Sequence, residues 1–139
     1  MKKNIFMVSC FLLLSVFPPA GAKSAPGNSI VVYYFHTTLR CPTCYKIEQY
    51  TQEAVEKYFD KEIKAGTISF KAVNVQQEKN QHYVKDYQLF AKAVVISMIK
   101  EGKEIKFNNL TKIWEYVRDK EKFYEYIKTE TAKYLAGVK

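Results

Sequence analysis

The junction between "SIVVYYF", Ser29 to Phe35, and "HTTLRCPTCYKIEQY", His36 to Tyr50, sets the tightest limit on what this chain can fold into. The first stretch is β-branched and aromatic without alternation, the pattern of a strand buried on both faces. Such a strand is central in its sheet and needs cover above and below. In the second stretch and beyond, Ile47, Tyr50, Ala54, Val55, Tyr58, Phe59 and Ile63 recur at helical spacing between Lys, Glu and Gln, which predicts one helix from Pro42 to about Ala65. Pro42 suits the first turn, where a missing N–H costs nothing, and Gly66 suits the end. Cys41 and Cys44 therefore fall where a buried strand passes into a helix.

The rest of the chain continues the alternation of strand and helix. "TISFKAVNV", Thr67 to Val75, reads as a second strand, and Tyr83, Val84 and Tyr87 share a face of a shorter helix from Glu78 to Tyr87. "KAVVISMI", Lys92 to Ile99, is a third strand, joined through a Glu101-Gly102 turn to a short fourth, "KEIKF". Leu110, Ile113, Trp114 and Val117 predict a further helix capped by Asn109, with Trp114 as its anchor, and Phe123 to Leu135 predict a last one capped by Asp119. The tyrosines at 45, 50, 58, 83, 87, 124, 126 and 134 fall mostly on helices, and most read as core or boundary residues. The fold class is α/β: a central mixed sheet of about four strands flanked by helices, with extra C-terminal helices.

The opening of the chain has a different character. Lys2 and Lys3, an apolar run from Ile5 to Phe17, Pro18-Pro19 and Ala20-Gly21-Ala22 form the layout of a secretory signal peptide. The expectation is a signal over 1–22 and a single domain over 23–139, exported to a periplasmic or other extracytoplasmic space, with membrane contact only transiently through the signal. Cys10 leaves with it. The apolar fraction, 47%, with eleven Tyr and nine Phe, places the remainder among folded chains. The formal charge of +8 would suit nucleic acid, but the lysines alternate with glutamates in "EKYFDKEIK" and "RDKEKFYEYIK", as on solvated helix faces. No nucleic-acid partner is expected.

An exported chain meets oxidising conditions, and the mature chain keeps only Cys41 and Cys44. As a staple the pair is weak, since closing so short a loop restricts the unfolded chain by only roughly 2 kcal/mol. As a zinc site it lacks ligands, because His36 and His82 bring no metal-binding spacing. Two thiolates could still hold Cu(I). A reactive dithiol fits the context better. At a helix N-terminus beside Arg40, with Lys46 near, Cys41 would be stabilised as a thiolate. Cys44, one turn further in, would be the less exposed sulfur. Cys41 is then the catalytic nucleophile and Cys44 the resolving cysteine that displaces the partner. His36, five residues before Cys41, could exchange protons with the pair.

Taken together, "YYFHTTLRCPTC", "ISFKAVNVQQEKNQHYVKDYQL" and "AVVISMIKEGKEI" resemble the thioredoxin-like superfamily across nearly the whole mature chain. More narrowly, "VVYYFHTTLRCPTC", "VKDYQLFAKAVVIS" and "LTKIWEYVRDKEKFYEYI" look like the exported nitrophenyl compound nitroreductase subunit family. The resemblance implies a thiol-disulfide oxidoreductase acting on a protein thiol or disulfide partner, and an electron-transfer subunit working beside a reductase subunit in a nitroaromatic-reducing system. No cofactor is expected, since no glycine-rich flavin or nicotinamide motif is present. Two features of the superfamily are missing: the place of its cis-proline falls on Ala93 or Val94, and the place of its buried carboxylate falls near Phe35. Those departures keep a non-catalytic binding module, a Cu(I) carrier or a structural adaptor open as alternatives.

Overall fold

The computed structural model describes residues 27–138. The expected signal peptide, 1–22, lies outside the described residues. β1 (Asn28–His36) leads into α1 (Pro42–Lys64), β2 (Ile68–Asn74), a single 3-10 turn at Glu78–Asn80, α2 (His82–Asp86), β3 (Ala93–Lys100), β4 (Lys103–Asn109), α3 (Ile113–Tyr116) and α4 (Lys120–Ala136). The sheet order is β2-β1-β3-β4. β2 runs parallel to β1, with Ile30 opposite Ile68, while β3 runs antiparallel to β1, with Phe35 opposite Ala93. β4 closes the sheet as an antiparallel hairpin with β3.

β1 is central, and its lack of alternation has the expected cause. Ile30, Val32 and Tyr34 pack on one side with Ile47, Val55, Phe123 and Ile127 of α1 and α4. Val31, Tyr33 and Phe35 pack on the other with Tyr87, Ala93 and Val95. Full burial of an aliphatic or aromatic side chain contributes about 1.5–3 kcal/mol, so both layers hold the strand in register. The β3–β4 turn places Glu101 and Gly102 at φ 51° and 77°, the left-handed pair that a two-residue hairpin needs.

Several expectations are corrected. The helix expected over Glu78 to Tyr87 is broken into the 3-10 turn and the short α2, because Asn80 turns its side chain back to the Asn74 carbonyl and Gln77 instead of continuing a helical surface. The helix expected from Leu110 shrinks to α3. Asn109 belongs to β4, and Lys112 stands at the N-cap without a side-chain bond. Trp114 is 41% exposed, so Leu110, Ile113 and Val117 anchor this segment in its place. Asp119 does cap α4, its carboxylate accepting from the Lys122 amide at 3.1 Å. Of the eight tyrosines named above, seven are buried or half-buried and Tyr45 is 55% exposed.

α1 and α4 are also joined by a polar contact. The Tyr124 hydroxyl donates to Glu53, Lys120 Nζ lies 3.0 Å from the same carboxylate, and Gln49 Nε2 donates to it at 2.7 Å. These bonds, Tyr124's foremost, hold the Glu53 carboxyl down at about 2 against 4.5 when unperturbed. A folded value below the unfolded one means stability that is complete above pH 4.5 and is lost as pH falls through about 2. Glu53→Gln is expected to flatten the acid limb of a stability-versus-pH curve across that window. An unchanged acid limb in chemical denaturation would remove Glu53 from the account of acid stability.

Candidate active site

β1 ends at His36, and the chain crosses to α1 through Thr37 to Arg40. This loop is held through Thr37 and Thr38. The Thr37 hydroxyl donates to the Leu39 carbonyl at 2.9 Å, the Thr38 amide donates to Gln76 Oε1 at 2.8 Å, and Asn74 Nδ2 donates to Thr38 Oγ1 at 3.0 Å. Cys41 is then the N-cap of α1, extended at φ −91° and ψ 162°, with its Sγ accepting from the Cys44 amide at 3.2 Å. Sulfur thus sits where a capping oxygen would, at the positive end of the helix dipole. A thiolate there is favoured over a thiol.

The two cysteines are bonded as a disulfide, with Cα atoms 5.1 Å apart. Cys41 is exposed and Cys44 is 1% exposed, the asymmetry expected of an attacking and a resolving sulfur. The buried Tyr34 hydroxyl donates to the Cys44 carbonyl at 2.8 Å, tying the first turn of α1 to the central strand. Burial, ahead of the opposing pull of Arg40, raises the Tyr34 phenol above its ordinary value, so it remains a donor at neutral pH.

Arg40 does not reach outward. Its side chain is 13% exposed, its guanidinium lies 4.2 Å from the Tyr45 ring centroid and 5.6 Å from that of Tyr34, and it pairs with Glu48, itself 24% exposed. The charge that Arg40 was expected to lend Cys41 is therefore balanced from within. Glu48 is a carboxylate that sequence reasoning missed. An acid was expected only near the end of β1, whereas this one comes from α1, four residues after Cys44 and so on the same helix face. That spacing was the available signal.

The outer wall beside Cys41 comes from far along the chain. Trp114, Val117 and Arg118 face Cys41, Thr43 and Lys46 across a cleft of about 340 Å³. The Trp114 indole N–H donates to the Lys92 carbonyl, just before β3, at 3.2 Å. Ala93 and Val94, the place expected to correspond to the cis-proline of thioredoxin-like proteins, follow directly. His36 lies elsewhere. Its Nδ1 is 3.0 Å from the Thr37 carbonyl and its ring stacks on Tyr34, and it lines a separate hollow with Phe35, Val75 and Phe90. His82 pairs with Asp86 on α2. Among the described residues no group of three or more His, Cys, Asp or Glu converges as a metal site, and no helix is long and apolar enough to cross a membrane.

No protein-family model matches the chain. No curated protein matches it either. Among solved structures it is similar to thioredoxin O2 from Arabidopsis thaliana in its oxidised state, with 18% identity over 73% of this chain and 81% of that one and a TM-score of 0.42. Thioredoxin from Fasciola hepatica gives 26% identity, 65% and 79% coverage and a TM-score of 0.38. The reduced thioredoxin pre-protein of Schistosoma mansoni gives 25%, 70% and 82%, and 0.41. With TM-scores this low the similarities carry none of the assignment, which rests on strand order, strand direction and the place of the cysteine pair. On those grounds the chain has a thioredoxin-like fold: a four-stranded mixed sheet flanked by helices, with a bonded cysteine pair at the start of α1 and additional helix after β4.

Proposed function

We propose that the protein is an exported thiol-disulfide oxidoreductase in which Cys41 is the nucleophile and Cys44 the resolving cysteine. The observation that carries this reading is the exposed Cys41 at the N-cap of α1, bonded to a buried Cys44. In the reducing direction the Cys41 thiolate attacks one sulfur of a partner disulfide. The partner's S–S bond breaks, its other sulfur leaves as a thiolate, and a Cys41–partner disulfide forms. Cys44 then loses its proton and attacks Cys41, so the second partner sulfur leaves as a thiolate and takes up a proton. Two electrons pass from the dithiol to the partner, and the Cys41–Cys44 bond is restored.

Export to the periplasm or another extracytoplasmic space is supported by the signal-like sequence over 1–22. A place as the electron-transfer subunit of a nitroaromatic-reducing system is supported by the three sequence stretches that resemble that family. The protein partner would then be a reductase subunit, with electrons passing through the dithiol. Equilibrating the mature protein with glutathione buffers is expected to give one reversible two-electron transition, and a thiolate titration is expected to place Cys41 well below the ordinary value of about 8.5. Two unperturbed thiols that do not exchange with glutathione would overturn the catalytic reading.

A further inference from the structure

The cleft beside Cys41 carries a charge pattern that the exchange chemistry does not require. Lys46 from α1 and Arg118 from the turn after α3 both line it together with the exposed cysteine, and no carboxylate is among its lining residues. Both cations are exposed, and neither forms an ion pair with a carboxylate among the described residues. Arg40 behaves in the opposite way, neutralised by Glu48 beneath the first turn of α1. The positive charge that meets an incoming partner is thus supplied by Lys46 and Arg118.

The cleft also has an apolar continuation. Trp114 is a shared wall between it and a second hollow, about 170 Å³, lined by Phe90, Lys92 and Leu110. Phe90 is 98% exposed, a position with a solvation cost that contact with another chain would relieve. An extended strand rises about 3.3 Å per residue, so a few residues suffice to run from Cys41 past Trp114. Opposite charges on such a segment raise the encounter rate and fix its register.

We infer that the protein selects partner polypeptides whose reactive cysteine is flanked by acidic residues, Lys46 and Arg118 taking the carboxylates and Trp114 an adjoining apolar side chain. This rests on the exchange role proposed for Cys41, and one experiment separates the two. Reduced protein is mixed with three short peptides that differ only in Asp, Ser or Lys around one cysteine, each activated as its 2-pyridyl disulfide. Cys41 attacks the peptide sulfur, pyridine-2-thione leaves and is read by absorbance, and Cys44 then releases the peptide thiol. The Asp peptide is expected to react at least about tenfold faster than the Lys peptide at low ionic strength. The ratio should collapse between about 0.01 M and about 1 M salt, as the screening length falls from about 30 Å to about 3 Å. Lys46→Glu with Arg118→Glu should invert it. Because each ratio is taken within one variant, any change in Cys41 thiolate fraction cancels. Equal rates for all three peptides would overturn this selectivity and leave the exchange role standing, whereas no reaction with any of them would overturn both.

Discussion

Cys44→Ser is expected to accumulate a stable mixed disulfide at Cys41, while Cys41→Ser loses exchange by more than about a thousandfold, the scale on which removing a reacting nucleophile acts. The asymmetry follows from position. Cys41 is exposed at the N-cap, and Cys44 is 1% exposed with its carbonyl bonded to Tyr34. A bulky partner sulfur can reach the first and not the second. In Cys44→Ser the attack proceeds but nothing displaces the partner, so mass spectrometry of the product should show one adduct on Cys41. Equal trapping by the two single variants would mean that the first turn of α1 opens enough to expose Cys44, and the assignment of roles would fail.

The second large effect is expected at Glu48. Replacing it with Gln leaves the Arg40 guanidinium without its carboxylate, only 13% exposed and held against Tyr34 and Tyr45. Breaking a buried ion pair from one side costs about 3–5 kcal/mol. With part of this pair still in water, about 2 kcal/mol is expected, read as a lower urea midpoint with an unchanged slope. Because the lone charge causes the loss, Arg40→Met combined with Glu48→Leu should recover most of it.

The same substitution should alter the chemistry. Only the reduced protein carries a Cys41 thiolate, and an uncompensated Arg40 stabilises it. Glu48→Gln is therefore expected to make Cys41 more acidic by up to about one pH unit, or about 1.4 kcal/mol. That shift raises the reduction potential by about 30 mV. Arg40→Gln should move both quantities the other way. A merely structural pair would lower the urea midpoint in each variant and leave the thiol titration and potential where they were.

The frame of the fold could be read residue by residue. Six adjoining residues, Ile30 to Phe35, are buried without alternation, and that run alone required a central strand with cover on both faces. Pro42, barred from a helix interior by its missing N–H, marked the start of α1, and the Glu101-Gly102 pair marked the hairpin turn. Short segments were harder. The periodicity around Tyr83 and around Trp114 extends over too few turns to outweigh local competition, and α2 and α3 are correspondingly brief. A helical spacing also says which residues share a stripe without saying what the stripe meets, which is why Trp114 was expected to be an anchor and instead borders the cleft.

The sequence by itself determined the dithiol's setting, because a cysteine at the junction of strand and helix meets the helix dipole through local backbone geometry alone. It also determined which of the two sulfurs is inner, since Cys44 falls three residues before Ile47 on the buried stripe of α1. Only the tertiary structure decided the charge around that dithiol. Arg40 turns inward to Glu48 because the Tyr34 and Tyr45 rings give it a surface to lie on, and Arg118 comes to Cys41 from a segment placed by the β3–β4 hairpin. Electrostatic effect depends on distance and burial, and for residues far apart in the chain those are fixed only when the chain folds.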